Sequence, residues 1–369
     1  MEGNHADARL TRVSDRLRWA AARAGTVSRP LPGPLVTAVD RGRVLVTGGA
    51  GYIGSHVVLA LRAAGWPVVV LDNLSRGVLR LLHRGCAVVV GDVGDADLVR
   101  GVIEHYRVSA VLHFAASIVA PDSVRRPLAY YRNNTAASLA LIEACAEHGT
   151  AAFVFSSTAA VYGEPPTSPV AESATATPIN PYGASKLMVE RVLADAGRAG
   201  GFPYVALRYF NVAGADPDLR AGQAPGGANH LIRVACDVAL GRRSRMPVYG
   251  TDYPTRDGTC VRDFVHVSDL AAAHVAALGH LLAGRPSTVL NCGYGRGFSV
   301  REVIAAVERA SGRRLPVEPA PRRPGDAAEV VADNRRLREL LAWRPRLDDL
   351  DIMVRHALAW ERQLLPAAA

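Results

Sequence analysis

Val44-Leu45-Val46-Thr47-Gly48-Gly49-Ala50-Gly51-Tyr52-Ile53-Gly54 is the stretch that decides the fold. Its first four residues are an apolar, β-branched run of the kind that forms a buried strand. Glycines then recur at Gly48, Gly51 and Gly54, and a helical pattern follows over residues 53–64. Glycine lets the backbone turn tightly and approach a pyrophosphate with no Cβ in the way. A helix that opens on such a turn offers free N–H groups and the positive end of its dipole to phosphates. The glycine motif alone is a weak signal, but the strand–turn–helix setting makes it a strong one for a dinucleotide.

Outward from this turn the pattern repeats. A second buried strand over residues 68–71 runs into Asp72. A carboxylate there can accept hydrogen bonds from the ribose hydroxyls of an adenosine and repels a 2′-phosphate, which favours NAD over NADP. A plain loop aspartate is the alternative, and Arg76 nearby is a residue able to accept a phosphate. Residues 88–90, 110–113 and 153–156 read as further strands, with helical segments over 98–106 and 135–148 between them. Strands alternating with helices imply an α/β fold, a doubly wound parallel Rossmann sheet covered on both faces. After Tyr209 the pattern loosens through a Gly-, Pro-, Asp- and Arg-rich region, 211–260. A strand end and an alanine-rich helix follow over 264–282, then helices near 300–310 and 350–364. The expected division is a nucleotide-binding domain over 43–210 and a smaller mixed α/β substrate-binding domain over 211–365, with part of 262–295 returning to the first.

Composition excludes several classes. The 369 residues are 49% hydrophobic and 21% charged, an ordinary globular balance. No apolar run approaches the roughly 20 residues that cross a bilayer, and no secretory core is present at the N-terminus, so no membrane role is expected. The cysteines, Cys86, Cys145, Cys236, Cys260 and Cys292, have no C-x-x-C spacing. No disulfide framework or metal site is expected, and a reducing cytoplasm fits. The net charge of +9 is spread along the chain without an aromatic-interleaved patch. Nucleic acid is therefore not an expected partner, whereas a diffuse positive field would attract a diphosphate. Residues 1–42 form an appendage. Its segment 15–24 could be a short arginine-rich helix before the breaks at Pro30, Pro32 and Pro34. A disordered tail or a wrongly assigned start is the expected explanation, since Glu2, Asp7 and Asp15 argue against an organelle-targeting peptide.

Lysine and arginine together number 43, yet lysine occurs once, at Lys186. A site that keeps lysine where arginine serves everywhere else needs a compact ammonium on a flexible stem. Tyr182 stands four residues before it, on the same face of a helix. A tyrosine with its ordinary pKa near 10 is a poor base at neutral pH. A neighbouring ammonium favours the phenolate and makes the pair a usable base for a carbinol proton. The alternative is an exposed tyrosine beside a solvated lysine. Ser156-Ser157-Thr158 closes the strand that begins at Phe153, where a hydroxyl can reach a reacting oxygen or merely cap the loop.

With these residues on the page, the chain resembles the extended short-chain dehydrogenase/reductases and, within them, the UDP-glucose 4-epimerases. The resemblance runs from about residue 43 to about residue 360. It rests on segments 47–56, 71–77, 91–93, 113–116, 127–134, 155–163, 178–188, 208–215, 248–269, 291–299 and 322–326. It implies a catalytic trio of Thr158, Tyr182 and Lys186. It implies NAD contacts from Gly48, Gly51, Tyr52, Ile53, Gly54, Asp72, Asn73, Asp92, Val93, Phe114, Ala115, Ala116, Asn133, Tyr182, Lys186 and Tyr209. Thr158, Asn211, His230, Leu231, Tyr249, Arg262, Arg323, Asp326 and Val330 would line the UDP-hexose site. Arg262 and Arg323 suit a diphosphate because guanidinium pairs with phosphate oxygens in bidentate fashion. Two departures stand out: Ile118 occupies a position where some relatives carry lysine, and His230 one that is often asparagine.

The chemistry so implied is a borrowed redox cycle. C4 of the sugar is oxidised by bound NAD, the 4-ketose turns over while its UDP moiety is held, and the hydride returns to the opposite face. The resemblance also implies a homodimer, formed through helices over 134–148 and 182–199. The nearest rival is a nucleotide-sugar 4,6-dehydratase, which needs an acid/base pair after the catalytic threonine. Ala159 and Ala160 stand there and can move no proton. A non-catalytic NAD-binding regulator is the other alternative, and it has little use for Tyr182 and Lys186 together.

Overall fold

β1 (Arg43–Thr47) runs into the glycine turn, α1 (Tyr52–Ala63) and β2 (Val68–Asp72). The pattern continues through β3 (Ala87–Val90), α2 (Ala96–Tyr106) and β4 (Val108–His113). A long helical stretch follows, made of α3 (Ala120–Arg125), α4 (Pro127–Tyr130), a π-helical turn (Tyr131–Ala136) and α5 (Ala137–Glu147). β5 (Ala152–Thr158), α6 (Pro181–Arg198) and β6 (Tyr204–Tyr209) complete the first half. The computed structural model describes residues 42–82, 85–224, 230–323 and 325–364. The appendage before residue 42, with its expected helix at 15–24, lies outside the described residues.

The second half contains β7 (Asn211–Ala213), α7 (Leu231–Ala239), β8 (Met246–Tyr249), β9 (Val261–His266) and α8 (Val267–Leu282). It goes on through β10 (Thr288–Cys292), β11 (Gly297–Ser299), α9 (Val300–Ser311) and β12 (Val317–Ala320). β13 (Glu329–Val330), α10 (Arg335–Leu341) and α11 (Leu350–Gln363) close it. The main sheet has seven strands in the order β10–β6–β5–β4–β1–β2–β3, every neighbouring pair parallel. This is the doubly wound sheet that the alternating pattern implies. β10, far along the chain, forms one edge beside β6.

Side chains along a strand alternate between faces, and the core divides accordingly. Val44, Val46, Val68 and Val70 belong to one apolar layer together with Val57, Val58 and Leu61 of α1 and Leu270 and Ala277 of α8. Leu45, Val69 and Leu71 belong to the other, with Val99 and Val102 of α2, Leu141 of α5 and Val189 and Leu193 of α6. Two dry layers on one sheet explain why its strands read as unbroken apolar runs. Beyond the sheet, β9 pairs with β7, β11 and β13, and β8 pairs with β12, while α7, α9 and α11 pack on one another.

The glycine turn tolerates no side chain at its last position. A Cβ on Gly54 would lie 2.3 Å from Gly48 O and 2.8 Å from Gly49 Cα, both backbone atoms that cannot swing aside. Gly54→Ala must open the turn at an overpacking cost of about 1–3 kcal/mol. Thermal unfolding should therefore shift down by several degrees. An unchanged melting temperature would contradict this description of the turn.

Candidate active site

The chain order of the strands reverses between β1 and β4, and the crevice of a doubly wound sheet opens above that point. Gly48 lies there with φ 67°, in the left-handed region, and a Cβ on it would meet Ala115 N at 2.6 Å. Gly51 opens α1 without a side-chain cap, and the first turn of the helix carries no acidic residue. The first N–H groups are thus left for an anion. Tyr52 and Ile53 can offer a phosphate their backbone, but the Tyr52 hydroxyl donates to Gly214 O at 2.7 Å and so faces β7. Burial pushes its pKa up.

Asp72 is buried at the end of β2. Its Oδ2 accepts from Ala50 N at 2.9 Å and its Oδ1 from Leu74 N at 2.8 Å, which fixes the carboxylate and leaves each oxygen a further lone pair. Asn73 donates to Asp92 Oδ2 at 2.8 Å, and Asp92 Oδ1 accepts from Gly94 N at 2.8 Å, with Val93 buried between. These bonds join the exits of β2 and β3. At the exit of β4 the Phe114 ring packs on His274, ring centres 4.8 Å apart, and Ala115 and Ala116 continue the loop.

α6 begins where its sequence says it should. Pro181 holds the first helical position and the Asn180 side chain accepts from Gly183 N at 2.9 Å. Tyr182, Lys186 and Glu190 then recur every four residues on one face, all buried. That face meets the carboxyl end of β5. Lys186 Nζ donates to Ser156 O at 2.9 Å and lies 4.8 Å from the centre of the Phe155 ring. The Thr158 side chain is the polar neighbour that draws the Tyr182 phenol down, and its Oγ1 accepts from Ala160 N at 3.1 Å. Of the three hydroxyls in this run, Ser156 is taken by the Tyr209 hydroxyl at 2.5 Å and Ser157 by Glu190. Thr158 is the one turned to Tyr182.

The electrostatics correct one expectation. Burial raises the pKa of Tyr182, with the bond from Thr158 pulling it back. Burial also lowers Lys186 to about 7, with the charge of Glu190 opposing that fall. Desolvation penalises both ionised forms, so the ammonium does not by itself deliver a low-pKa phenol. The helix geometry was right and the assumed dominance of the lysine charge was not.

Several residues of this region were not anticipated from the sequence. Glu190 is clasped by Arg208 of β6 through Nε at 3.0 and 3.2 Å and Nη2 at 2.6 Å. Arg208 Nη1 donates to the Tyr162 hydroxyl at 3.0 Å, which donates to Asn291 Oδ1 of β10 at 2.7 Å. Losing one partner of such a buried pair costs about 3–5 kcal/mol, because a charge is left uncompensated. The available signal was Glu190 itself, a carboxylate one turn beyond Lys186 on the same face. Asn134, inside the π-helical turn, grips both polar groups of the Ser117 backbone at 2.8 and 3.0 Å and reaches Ser185 Oγ at 3.0 Å. Its neighbour Asn133 donates to Ser117 Oγ at 3.2 Å.

The expected sugar-nucleotide residues fall into separate sets. Arg262 of β9 stands opposite Val330 of β13, donates to Val261 O at 2.9 Å and lies 3.5 Å from Asp326 Oδ1. Val330 packs against the apolar group of Val161, Tyr162 and Val170, of which the first two lie in the turn that follows Thr158. Arg323 forms a second set by stacking on Tyr249, 3.7 Å from its ring centre. Asn211 is exposed at the start of β7. His230 is exposed before α7, where its Nδ1 lies 3.1 Å from Gln223 Nε2, and Leu231 begins the helix. No hydrogen bond or ion pair among the described residues joins Asn211, His230 or Leu231 to the other sets.

Glycines whose Cβ would collide with backbone, an uncapped helix start and a fixed Asp72 carboxylate fit a dinucleotide lying across the crevice. Among the described residues no group of His, Cys, Asp and Glu could hold a metal ion, and no helix is long and apolar enough to cross a membrane. Residues 44–293 match the NAD dependent epimerase/dehydratase family. The chain is 58% identical over 322 residues to a UDP-glucose 4-epimerase of Azospirillum brasilense, covering 87% of this chain and 92% of that one. The solved UDP-glucose 4-epimerase from Brucella ovis in complex with NAD gives a TM-score of 0.84 at 43% identity, covering 86% of this chain and 98% of that one. The UDP-Glc/GlcNAc 4-epimerase from Campylobacter jejuni gives 0.78 at 45% identity, covering 87% and 99%.

Proposed function

This chain belongs to the NAD dependent epimerase/dehydratase family, and we propose that it reversibly interconverts UDP-glucose and UDP-galactose by inverting C4 of the hexose. The observation that carries the reading is the meeting of the Tyr182 hydroxyl with Thr158 beside the chain's one lysine, on the rim of the dinucleotide crevice. The cofactor is NAD. We assign the glycine turn and the start of α1 to its pyrophosphate, Asp72 and Asn73 to the adenosine ribose, and Asp92 and Val93 to the adenine side. Phe114, Ala115, Ala116, Asn133, Lys186 and Tyr209 line the remainder.

NAD, when bound, supplies a hydride acceptor that can return the hydride and a positive ring that favours a nearby phenolate. Tyr182 takes the proton of the C4 hydroxyl and later gives it back to the C4 oxygen, once the hydride has been returned to the opposite face of the carbon. Thr158 hydrogen-bonds the reacting oxygen and the phenol and keeps them in line. Lys186 adds its positive charge to stabilise the phenolate against the burial that opposes it. Between the two transfers the 4-keto hexose must present its other face. The diphosphate, held by Arg262 and Arg323 and flanked by Asn211, His230, Leu231, Tyr249 and Asp326, anchors it meanwhile. Ala159 and Ala160 contribute no proton donor for loss of water, which disfavours the 4,6-dehydratase. The buried Tyr182–Lys186 pair has no purpose in a non-catalytic regulator.

The enzyme works as a homodimer in this reading. Val124, Leu128, Leu139 and Met188 expose 62%, 74%, 42% and 43% of their surface on the long helical stretch and the adjacent α6, and a second copy would cover them. Five buried, unpaired cysteines suit the cytoplasm.

Tyr182→Phe should lower turnover by on the order of 10²–10⁴-fold, the usual worth of a general base. Near-normal conversion of UDP-galactose by a folded Tyr182→Phe protein would remove the role. Val330 bears on breadth of substrate. Beside the C2 substituent of the hexose it is smaller than an aromatic ring, so UDP-N-acetylglucosamine should be turned over measurably, though less well than the plain hexoses. Val330→Tyr should suppress that activity and largely spare the hexose pair. The ratio of kcat/KM for the two substrates isolates the effect, and an unchanged ratio would place the constriction elsewhere.

A further inference from the structure

The ammonium of Lys186 is buried, yet its immediate partners, Ser156 O at 2.9 Å and the face of Phe155, carry no formal charge. Glu190 lies one helical turn onward on the same face of α6, roughly 5–6 Å away between Cβ atoms. Its carboxylate has little freedom. One oxygen accepts from Ser157 Oγ of β5, and both accept from Arg208 of β6 at 2.6–3.2 Å. Arg208 is itself fixed through Tyr162 to Asn291, whose Nδ2 donates to Val170 O at 2.8 Å. An apolar residue in place of a buried ion pair is often as stable or more so. Stability alone therefore does not account for a carboxylate here.

We propose that Glu190 is a positioning residue for the Tyr182–Lys186 pair. Tied to β5 through Ser157 and to β6 through Arg208, it fixes the helix face that carries the pair against the rim of the sheet. It also sets a carboxylate one turn from Lys186. The proposal rests on the assignment of Tyr182 and Lys186 as the reacting pair.

The groups that face Lys186 give the expected pH effect its sign. On α6 they are Glu190 and, one turn before Lys186, Tyr182, and on β5 Phe155 and Ser156; β6 stands behind them, with Arg208 bonded to Glu190 and Tyr209 to Ser156. From β4 comes His113, which burial and the Lys186 charge hold neutral with a pKa near 3. Burial draws Lys186 down to about 7 and Glu190 is the charge that opposes it. Removing the carboxylate lowers the lysine further, so the ammonium is lost at lower pH and the alkaline limb of activity moves down.

The test is the pH profile of kcat and KM for UDP-galactose, from mildly acidic to alkaline pH, on the NAD-loaded protein. Melting temperature and NAD content are measured for every variant. Glu190→Gln should move the alkaline limb about one pH unit lower. At neutral pH it should cost roughly tenfold in kcat with KM within about twofold. Ser157→Ala cuts the tether to β5 but keeps the charge, and should reduce kcat about threefold with the limb in place. An alkaline limb unmoved in a folded Glu190→Gln protein overturns the proposal. Should Glu190→Gln fail to fold, full kcat in Ser157→Ala overturns it instead. Tyr182→Phe, run in parallel, separates the two assignments. Retained turnover there defeats the reacting pair itself, whereas its loss beside a normal Glu190→Gln profile defeats only the positioning role.

Discussion

Seven strands that run the same way must end on the same rim, and the rest of this molecule depends on that constraint. Thr47, Asp72, His113, Thr158, Tyr209 and Cys292 are the last residues of six of those strands. Their exits open the crevice that we assign to the dinucleotide and the reacting oxygen. Parallel pairing requires long crossovers, and those crossovers supply the helices that bury both faces. One of them, α6, runs past the end of β5 and so carries Tyr182 and Lys186 to the rim. The glycine turn is the tightest point of the arrangement, since Gly48 lies against the exit of β4 and Gly54 against Gly48.

Burial makes the site and also works against it. A dry crevice strengthens each electrostatic contact, yet it raises the phenol of Tyr182 and lowers the amine of Lys186 toward their uncharged forms. Neither group is poised by its partner alone. Thr158 pulls the Tyr182 phenol back down and the fixed carboxylate of Glu190 holds the Lys186 amine up, so both act on the same balance. A chain that uses arginine almost everywhere keeps lysine here because a guanidinium, permanently charged and planar, could not sit between Ser156 O and the Phe155 ring in the same way.

Much of the fold was legible because its signals are local. An apolar run, a glycine turn and an amphipathic helix occupy neighbouring residues, so the parallel sheet could be read from the pattern around Gly48. The i, i+4 spacing of Tyr182 and Lys186 is equally local, as is the Asn180-Pro181 start of their helix. What stayed hidden depends on long-range contacts. Glu190 and Arg208 lie on different elements, and only the packing of α6 on β6 brings them together. Asn134 looks like any helical asparagine until the π-helical turn aims it at the Ser117 backbone. The engagement of Ser156 and Ser157 by Tyr209 and Glu190 was likewise out of reach, and it leaves Thr158 as the hydroxyl that faces Tyr182. The pKa expectation failed because charge proximity is visible in a sequence and desolvation is not.

The chemistry has one direct signature. If hydride leaves C4 and returns to C4 within one enzyme-bound cycle, a label on that carbon cannot escape. The measurement is the conversion of UDP-galactose carrying deuterium at C4 by the purified protein, with no NAD added, followed by NMR of the product sugar. Epimerisation predicts UDP-glucose with the deuterium still on C4. Deuterium found at C6, as loss of water followed by reduction would give, or washed out into solvent, would contradict it.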